Sequence, residues 1–170
     1  MMEGGCTCRG VRYRVLAAPM IVHCCHCRWC QRETGSAFVI NAVVETAALE
    51  VTGKTEMIDT PSLSGNGQKI VRCPTCRVAL WSHYPRGGVK VAFVRVGTLD
   101  DPDAVPPDVH IYTASKQPWV RLPDDARAFA EFYNVPEIWT AEARGRFAAA
   151  IAAGKATSTA PPRPESAAGV

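Results

Sequence analysis

The sequence predicts a mainly β fold stapled by metal ions. Three observations carry that reading. Short runs of alternating or β-branched residues recur through the first two thirds of the chain, parted by Gly, Pro, Asn and Asp turn signals. Eight cysteines stand at the close spacings of metal knuckles. Helical spacing is confined to one short stretch after the main cysteine cluster and to residues beyond 124.

Each element has a local reason. Residues 11–15 (VRYRV) alternate apolar and polar side chains, the period of a half-buried strand, and Pro19 ends the segment. A short run over 20–24 leads into the cysteines. Residues 28–34 are read as one or two helical turns stopped by Gly35. Residues 38–44 are apolar and β-rich, and 49–52 form another strand ended by Gly53. Residues 56–59 are a weaker strand, and 62–67 (SLSGNG) are a loop by composition. Strands are expected over 69–72, 78–84, 89–96 and 109–113, with a turn at 85–88 and a Pro- and Asp-rich loop at 100–108. Residues 124–133 (DDARAFAEFY) have helical spacing and an acidic start that suits a helix N-terminus. Thr140 is placed to cap a helix over 141–153, with Gly154 at its end. Residues 1–133 are therefore expected to form the zinc-binding β domain, 134–154 a C-terminal helical extension, and 155–170 a disordered tail rich in Ala, Pro and Ser.

Composition excludes several classes of function. With 170 residues, 47% apolar and 21% charged, the chain is ordinary for a globular protein with a real core. Its net charge of +3 comes without a clustered basic stripe, so nucleic acid is not an expected partner. No apolar run approaches the roughly 20 residues that cross a bilayer. The start, MMEGGCTCRG, lacks the basic and then apolar pattern of a secretory leader. The expected location is the cytoplasm, where cysteines serve as metal ligands or reactive thiols rather than disulfides.

Four of the cysteines, Cys24, Cys25, Cys27 and Cys30, fall within seven residues. In an extended Cys25-x-Cys27 segment the two side chains share a face, and the turn to Cys30 returns a third sulfur. Three ligands leave zinc one open position, as in catalytic sites, whereas four close it. Cys73-x-x-Cys76 has knuckle spacing, with Pro74 favouring the turn, and Cys6-x-Cys8 supplies two more sulfurs. The economical division gives Cys6, Cys8, Cys73 and Cys76 to one structural zinc and Cys25, Cys27 and Cys30 to a second ion. Cys24 is left as a buried thiol or a spare ligand. Two disulfides, or unliganded core thiols, are the competing reading.

The cysteines and their neighbours resemble a known family. The start Gly4-x-Cys6-x-Cys8 followed by Gly10-Val11-Arg12-Tyr13 is similar to the glutathione-dependent formaldehyde-activating enzymes. So are Cys25-His26-Cys27-x-x-Cys30-x-Arg32-x-x-Gly35-Ser36-Ala37-Phe38, then Cys73-x-x-Cys76, and a late His110-Ile111-Tyr112 with Lys116 and Trp119. The likeness covers about residues 4 to 125. It implies the Mss-four-like, or β-tent, fold with two zinc ions. Cys6, Cys8, Cys73 and Cys76 would hold the structural ion, and Cys25, Cys27 and Cys30 the catalytic one. It also implies a carbon–sulfur lyase that forms S-(hydroxymethyl)glutathione.

The chain departs from that pattern where it is informative. Glycine commonly follows each structural pair, yet Arg9 and Arg77 stand there. Two guanidinium groups could offset the formal −2 charge of a tetrathiolate zinc, or simply be exposed. Thr7 replaces a frequent His, and Cys24 is an addition. His26 lies between two ligands, so strand alternation points it away from them. His23 is a weak ligand candidate, and His83 and His110 are expected to be satisfied residues within strands. Trp29 and Phe38 are candidates to line a pocket, and Asp124 and Asp125 are read as a helix start.

Three thiolates leave zinc with a net charge of about −1 by formal count, which blunts it for making hydroxide. Such a site favours binding and ionising a soft thiol, which is then a nucleophile at neutral pH. The expected partner is a small thiol, glutathione, adding to formaldehyde or a related small aldehyde. The alternative is a non-catalytic, zinc-stabilised binding module for a protein partner. An open position inside a pocket would separate the two.

Overall fold

The computed structural model describes residues 1–156, and the tail expected over 155–170 lies almost wholly outside them. The fold is mainly β, as expected, with two sheets and a few short helices. Strands β1 (Met2–Gly5), β2 (Arg12–Val15) and β5 (Leu49–Thr52) form a three-stranded antiparallel sheet in the order β1-β2-β5. The larger sheet has seven strands in the order β10-β3-β4-β9-β8-β7-β6. These are β3 (Ile21–Cys25), β4 (Val39–Glu45), β6 (Glu56–Thr60), β7 (Gln68–Arg72), β8 (Ala79–His83), β9 (Val91–Arg95) and β10 (Val109–Ile111). Among the described strands of this sheet only β10 and β3 pair in parallel, and His110 of β10 makes a further parallel bridge to Ala128. Three helices follow the sheet's faces and ends: α1 (Arg28–Thr34), α2 (Val135–Ile138) and α3 (Ala141–Ala156).

The central strands are buried on both faces, so their alternation sorts side chains between two cores. Val22, Ala42 and Val44 face the small sheet, where they meet Val11, Tyr13, Val15, Leu80 and Trp81. Ile21, Cys25, Val39 and Val43 face the other way, against Ile111, Tyr133, Trp139 and Ala143. Each valine buried there contributes about 1.5–3 kcal/mol. The same alternation puts Cys24 and Cys25 on opposite faces of β3, a separation that decides their chemistry.

Three features differ from the sequence expectation. β1 has no strand alternation and forms through its pairing with β2. A Cβ on its Gly4 would stand 2.5 Å from Thr98 O and 2.6 Å from the Tyr13 ring, so only glycine permits this approach. Residues 124–133 are not helical. They run beside β10 instead, with Arg127 O accepting from His110 N–H at 2.8 Å and Glu131 O accepting from Tyr112 N–H at 3.0 Å. β10 is an edge strand, and pairing its open backbone groups outweighs a weak local helical preference. Finally, α3 continues to Ala156, past the stop expected at Gly154. A helical glycine costs only about 1 kcal/mol.

An ion pair ties α3 to the large sheet. Arg146 donates to both carboxylate oxygens of Glu45, at 2.8 and 2.7 Å, and to Ala18 O at 2.9 Å. Both side chains are mostly buried, and the guanidinium holds the Glu45 carboxyl below its usual range. Arg146→Ala is expected to cost about 1–3 kcal/mol, read by urea unfolding. Because the folded pKa of Glu45 is depressed, this contribution is present above about pH 4.3 and fades as pH falls through the lower folded value. An Arg146→Ala penalty that is unchanged between pH 7 and pH 3 would contradict the assignment.

Candidate metal centres

The first cluster forms where two turns meet. Cys6 and Cys8 follow β1, Cys73 and Cys76 follow β7, and the four sulfurs lie within 4.8 Å of one another. The ladder between β7 and β8 shifts register at Val71 and Arg72, just before this turn. Cys6 Sγ stands 3.4 Å from Cys8 Sγ, and Cys8 Sγ stands 3.6 Å from Cys73 Sγ. All eight cysteines are free, so neither disulfide of the competing reading is formed. The spacing approaches the edge of roughly 3.8 Å expected of a tetrahedron with metal–sulfur bonds of about 2.3 Å. Val11 N–H donates to Cys6 Sγ at 3.2 Å. The Cys76 thiol is pushed down to about 6, first by the Val78 N–H and then by that of Cys8. Four sulfurs gathered at this spacing suit a soft divalent ion.

Arg9 and Arg77 occupy left-handed backbone in these two turns, with φ of 61° and 63°. Glycine is the residue for which that conformation is free of strain. The Arg77 guanidinium pairs with Glu56, so its charge is directed at a carboxylate. That pair is exposed and adds little. Arg9→Gly and Arg77→Gly are each expected to relieve left-handed strain, with a net gain of up to about 1 kcal/mol. Thermal unfolding checks this, and a loss of stability in both variants would contradict it.

The second cluster is built on one strand and one helix. β3 delivers Cys25, and Cys27 is the N-cap of α1, its Sγ accepting from Cys30 N–H at 3.4 Å. The first turn of α1 brings Cys30 back, and all three sulfurs lie within 4.8 Å of one another, buried. Gly35 ends the helix at φ 62°, donating to Gln31 O. The loop is pinned from behind: Gln31 Nε2 donates to His26 O at 2.6 Å and to Ser115 O at 3.0 Å. Hydrogen bonds from Cys25, and then Cys30, push the Cys27 thiol down. The same bonds to Cys27 and Cys30, together with burial, push Cys25 up. The Cys30 thiol is pushed up to about 12: the bond from Cys25 lowers it, but the bond from Cys27 and burial outweigh that, and the positive charge of Arg95 opposes them only in small part. Arg95 is itself buried, and its guanidinium donates to Asn41 Oδ1 at 2.7 Å and Ser82 Oγ at 3.0 Å, neutral partners both.

Cys25, Cys27 and Cys30 line a cavity of about 570 Å³. Trp29 lines it too, as the sequence suggested, while Phe38 packs against His26 on the opposite face, with ring centroids 5.4 Å apart. Tyr84 and Tyr112 also line the cavity, and burial raises both phenols, so both remain neutral donors at neutral pH. Tyr112 has left-handed backbone, φ 57°, a conformation that clusters at functional sites. His23 lines the cavity, is buried, and is pushed down to about 4 by desolvation. Its Nε2 lies 2.5 Å from the Tyr133 hydroxyl, which accepts from Trp139 Nε1–H at 2.6 Å. The fully satisfied arrangement has Tyr133 donate to Nε2, leaving the proton on Nδ1.

Cys24 and His26 belong to neither cysteine cluster. Parallel pairing sets His110 opposite Cys24, and His26 Nε2 lies 3.1 Å from His110 Nδ1 and 3.5 Å from Cys24 Sγ. His83 is satisfied, bonded to Val91 O at 2.8 Å and accepting from Trp81 Nε1–H at 3.2 Å. Sequence reasoning missed the far wall of the cavity, which includes Arg86, Phe132, Trp139, Arg144 and Phe147. The FxEFY and W…F spacings were legible only as helix signals, because nothing local says what they pack against.

Among known proteins, residues 1–115 match the family described as glutathione-dependent formaldehyde-activating enzyme. A Halomonas elongata protein provisionally named a glutathione-dependent formaldehyde-activating enzyme is 27% identical over 140 residues. That match spans 78% of this chain and 88% of the relative. A crystal structure of a Rhodobacter sphaeroides protein superposes with a TM-score of 0.45 at 22% identity, over 62% of this chain and 92% of that one.

Proposed function

Because the chain belongs to the glutathione-dependent formaldehyde-activating enzyme family, we propose that it is a zinc-dependent carbon–sulfur lyase that joins glutathione to formaldehyde or a related small aldehyde, or runs the reverse cleavage. Two zinc ions are assigned, a structural one to Cys6, Cys8, Cys73 and Cys76, and a catalytic one to Cys25, Cys27 and Cys30. When bound at three thiolates, zinc supplies a soft position that takes up a thiol and favours its ionised form. The observation that carries the reading is that all three sulfurs of the second cluster line one apolar-walled cavity of about 570 Å³, whereas only Cys6 of the four-cysteine cluster lines a pocket, and a polar one. A module that only displays a surface has no need of such an enclosed space.

In the reaction, the substrate sulfur forms a bond to the carbonyl carbon, the carbonyl π bond breaks onto oxygen, and the thiol proton ends on that oxygen. The chain's own groups suit this balance. Tyr84 and Tyr112 keep their phenolic protons, and either Oη–H can hydrogen-bond the oxygen where charge develops. Apolar walls exclude the water that would otherwise hydrate the aldehyde. No described helix is long and apolar enough to cross a membrane. A reducing cytoplasm is the compartment this reading assigns, since it keeps such thiols available.

Cobalt substitution tests the reading. Glutathione added to the cobalt-loaded protein is expected to strengthen the sulfur-to-metal charge-transfer bands and to release a proton. A spectrum unchanged by glutathione and by simpler thiols between roughly pH 6 and 9, a range bracketing a free thiol's pKa, would rule it out.

A further inference from the structure

Four residues of the cavity wall, Phe132, Val135, Trp139 and Phe147, lie beyond the family match, which ends at residue 115. They come from the segment after β10 and from α2 and α3, and they stand across the same space as Cys25, Cys27 and Cys30. This wall is held by contacts within the chain. Phe132 stacks on Tyr133 with centroids 4.5 Å apart, and Trp139 meets Phe147 edge-on at 5.5 Å. Trp139 and Tyr133 form the hydrogen-bonded chain to His23, two residues before Cys25. Arg144 Nη1 closes the corner between α2 and α3 by donating to Trp139 O at 2.7 Å and Pro136 O at 3.0 Å.

A one-carbon aldehyde, which is hydrated in water, gains nothing from four apolar side chains. Glutathione does not explain them either, since its carboxylates, amides and ammonium call for polar partners. The cavity offers those at Ser62 and Asn66, and at Arg86, whose guanidinium stands 5.9 Å from the centroid of the Phe147 ring at the rim of the apolar wall. A volume of about 570 Å³ accommodates a ligand of drug size, with apolar walls and a few polar anchors.

We propose that this chain acts on adducts of a carboxylate-bearing thiol with an apolar aldehyde, its carbon chain or aromatic ring held against Phe132, Trp139 and Phe147. The inference rests on the reading that Cys25, Cys27 and Cys30 receive a substrate thiol. The bond changes are those written above for the smaller aldehyde. The segment beyond residue 115 is the part of the chain that sets the choice of aldehyde.

The test is calorimetric titration of the zinc-loaded full chain with glutathione and with S-methyl-, S-butyl- and S-benzylglutathione, stable stand-ins for the adducts. Burial of apolar groups gains roughly fourfold in affinity per methylene. S-butylglutathione is therefore expected to bind at least about tenfold tighter than the S-methyl compound, and S-benzylglutathione likewise. Phe132→Ala and Phe147→Ala alter side chains that are not fully buried, so the fold should survive, as an unchanged melting temperature would show. Each should lower the benzyl-to-methyl affinity ratio by about tenfold. If glutathione binds but the S-substituted series is flat, or does not bind, the apolar-aldehyde proposal is overturned while the thiol reading stands. The same holds if both variants keep the wild-type ratio. If neither glutathione nor any conjugate binds, the thiol reading falls and this proposal with it.

Discussion

Cys73→Ser is expected to leave a chain that is largely unfolded or insoluble at 37 °C. Cys73 is buried, and its backbone binds Val78 and Arg77, so it holds the turn between β7 and β8 in place. Its sulfur is also the nearest bridge to Cys8, 65 residues earlier, and so joins the small sheet to the large one. Structural zinc in zinc-finger peptides contributes about 10–16 kcal/mol, whereas whole domains are stable by only about 5–15 kcal/mol. Losing a large part of the first quantity exceeds the margin set by the second. Metal analysis and thermal unfolding of the purified variant measure both consequences. In wild type, a chelator time course should release the ion at Cys25, Cys27 and Cys30 first. A Cys73→Ser protein with two ions and the wild-type melting temperature would remove the structural role from this cluster.

Cys27→Ser is expected to do the opposite, leaving the fold and abolishing thiol binding. Cys27 caps α1, and serine is a good replacement at an N-cap. The helix is also held by Gln31 to His26 O and by the buried Arg72–Glu33 pair, neither of which the substitution touches. The change removes one of the three sulfurs gathered at the cavity wall. Loss of a mere outer partner of a metal ligand costs 10–100-fold in affinity, so loss of the ligand should weaken glutathione binding by more than about a hundredfold. Circular dichroism and titration of the metal-loaded variant check the two halves. Unfolding as severe as that of Cys73→Ser would make the second cluster structural as well, and the binding-module reading would gain.

Much of the site was legible because its signals are local. Cys25-x-Cys27-x-x-Cys30 needs only a strand end and one helical turn to gather three sulfurs, and the sequence contains both, with Gly35 to stop the helix. His26, placed between two of these cysteines, faces away by simple alternation and meets His110 instead. The same local reasoning failed at residues 124–133. Their helical spacing is real, but the open edge of β10 offered backbone partners that no local pattern reveals.

The sequence by itself determined the metal-knuckle spacings, the β character and the family. Those depend on residue type and on separations of a few residues, where chain geometry leaves little freedom. It did not determine which residues would face the sulfurs from across the cavity. Phe132, Trp139, Arg144 and Phe147 reach that space only because β10 pairs with β3, carrying the C-terminal segment over Cys25, and Arg86 reaches it from the turn between β8 and β9. Arg95 meets Asn41, another residue lining the cavity, only through pairing of β9 with β4. Such contacts join residues tens of positions apart, and their stabilisation exists only once the sheet has closed. Tertiary structure alone decided them.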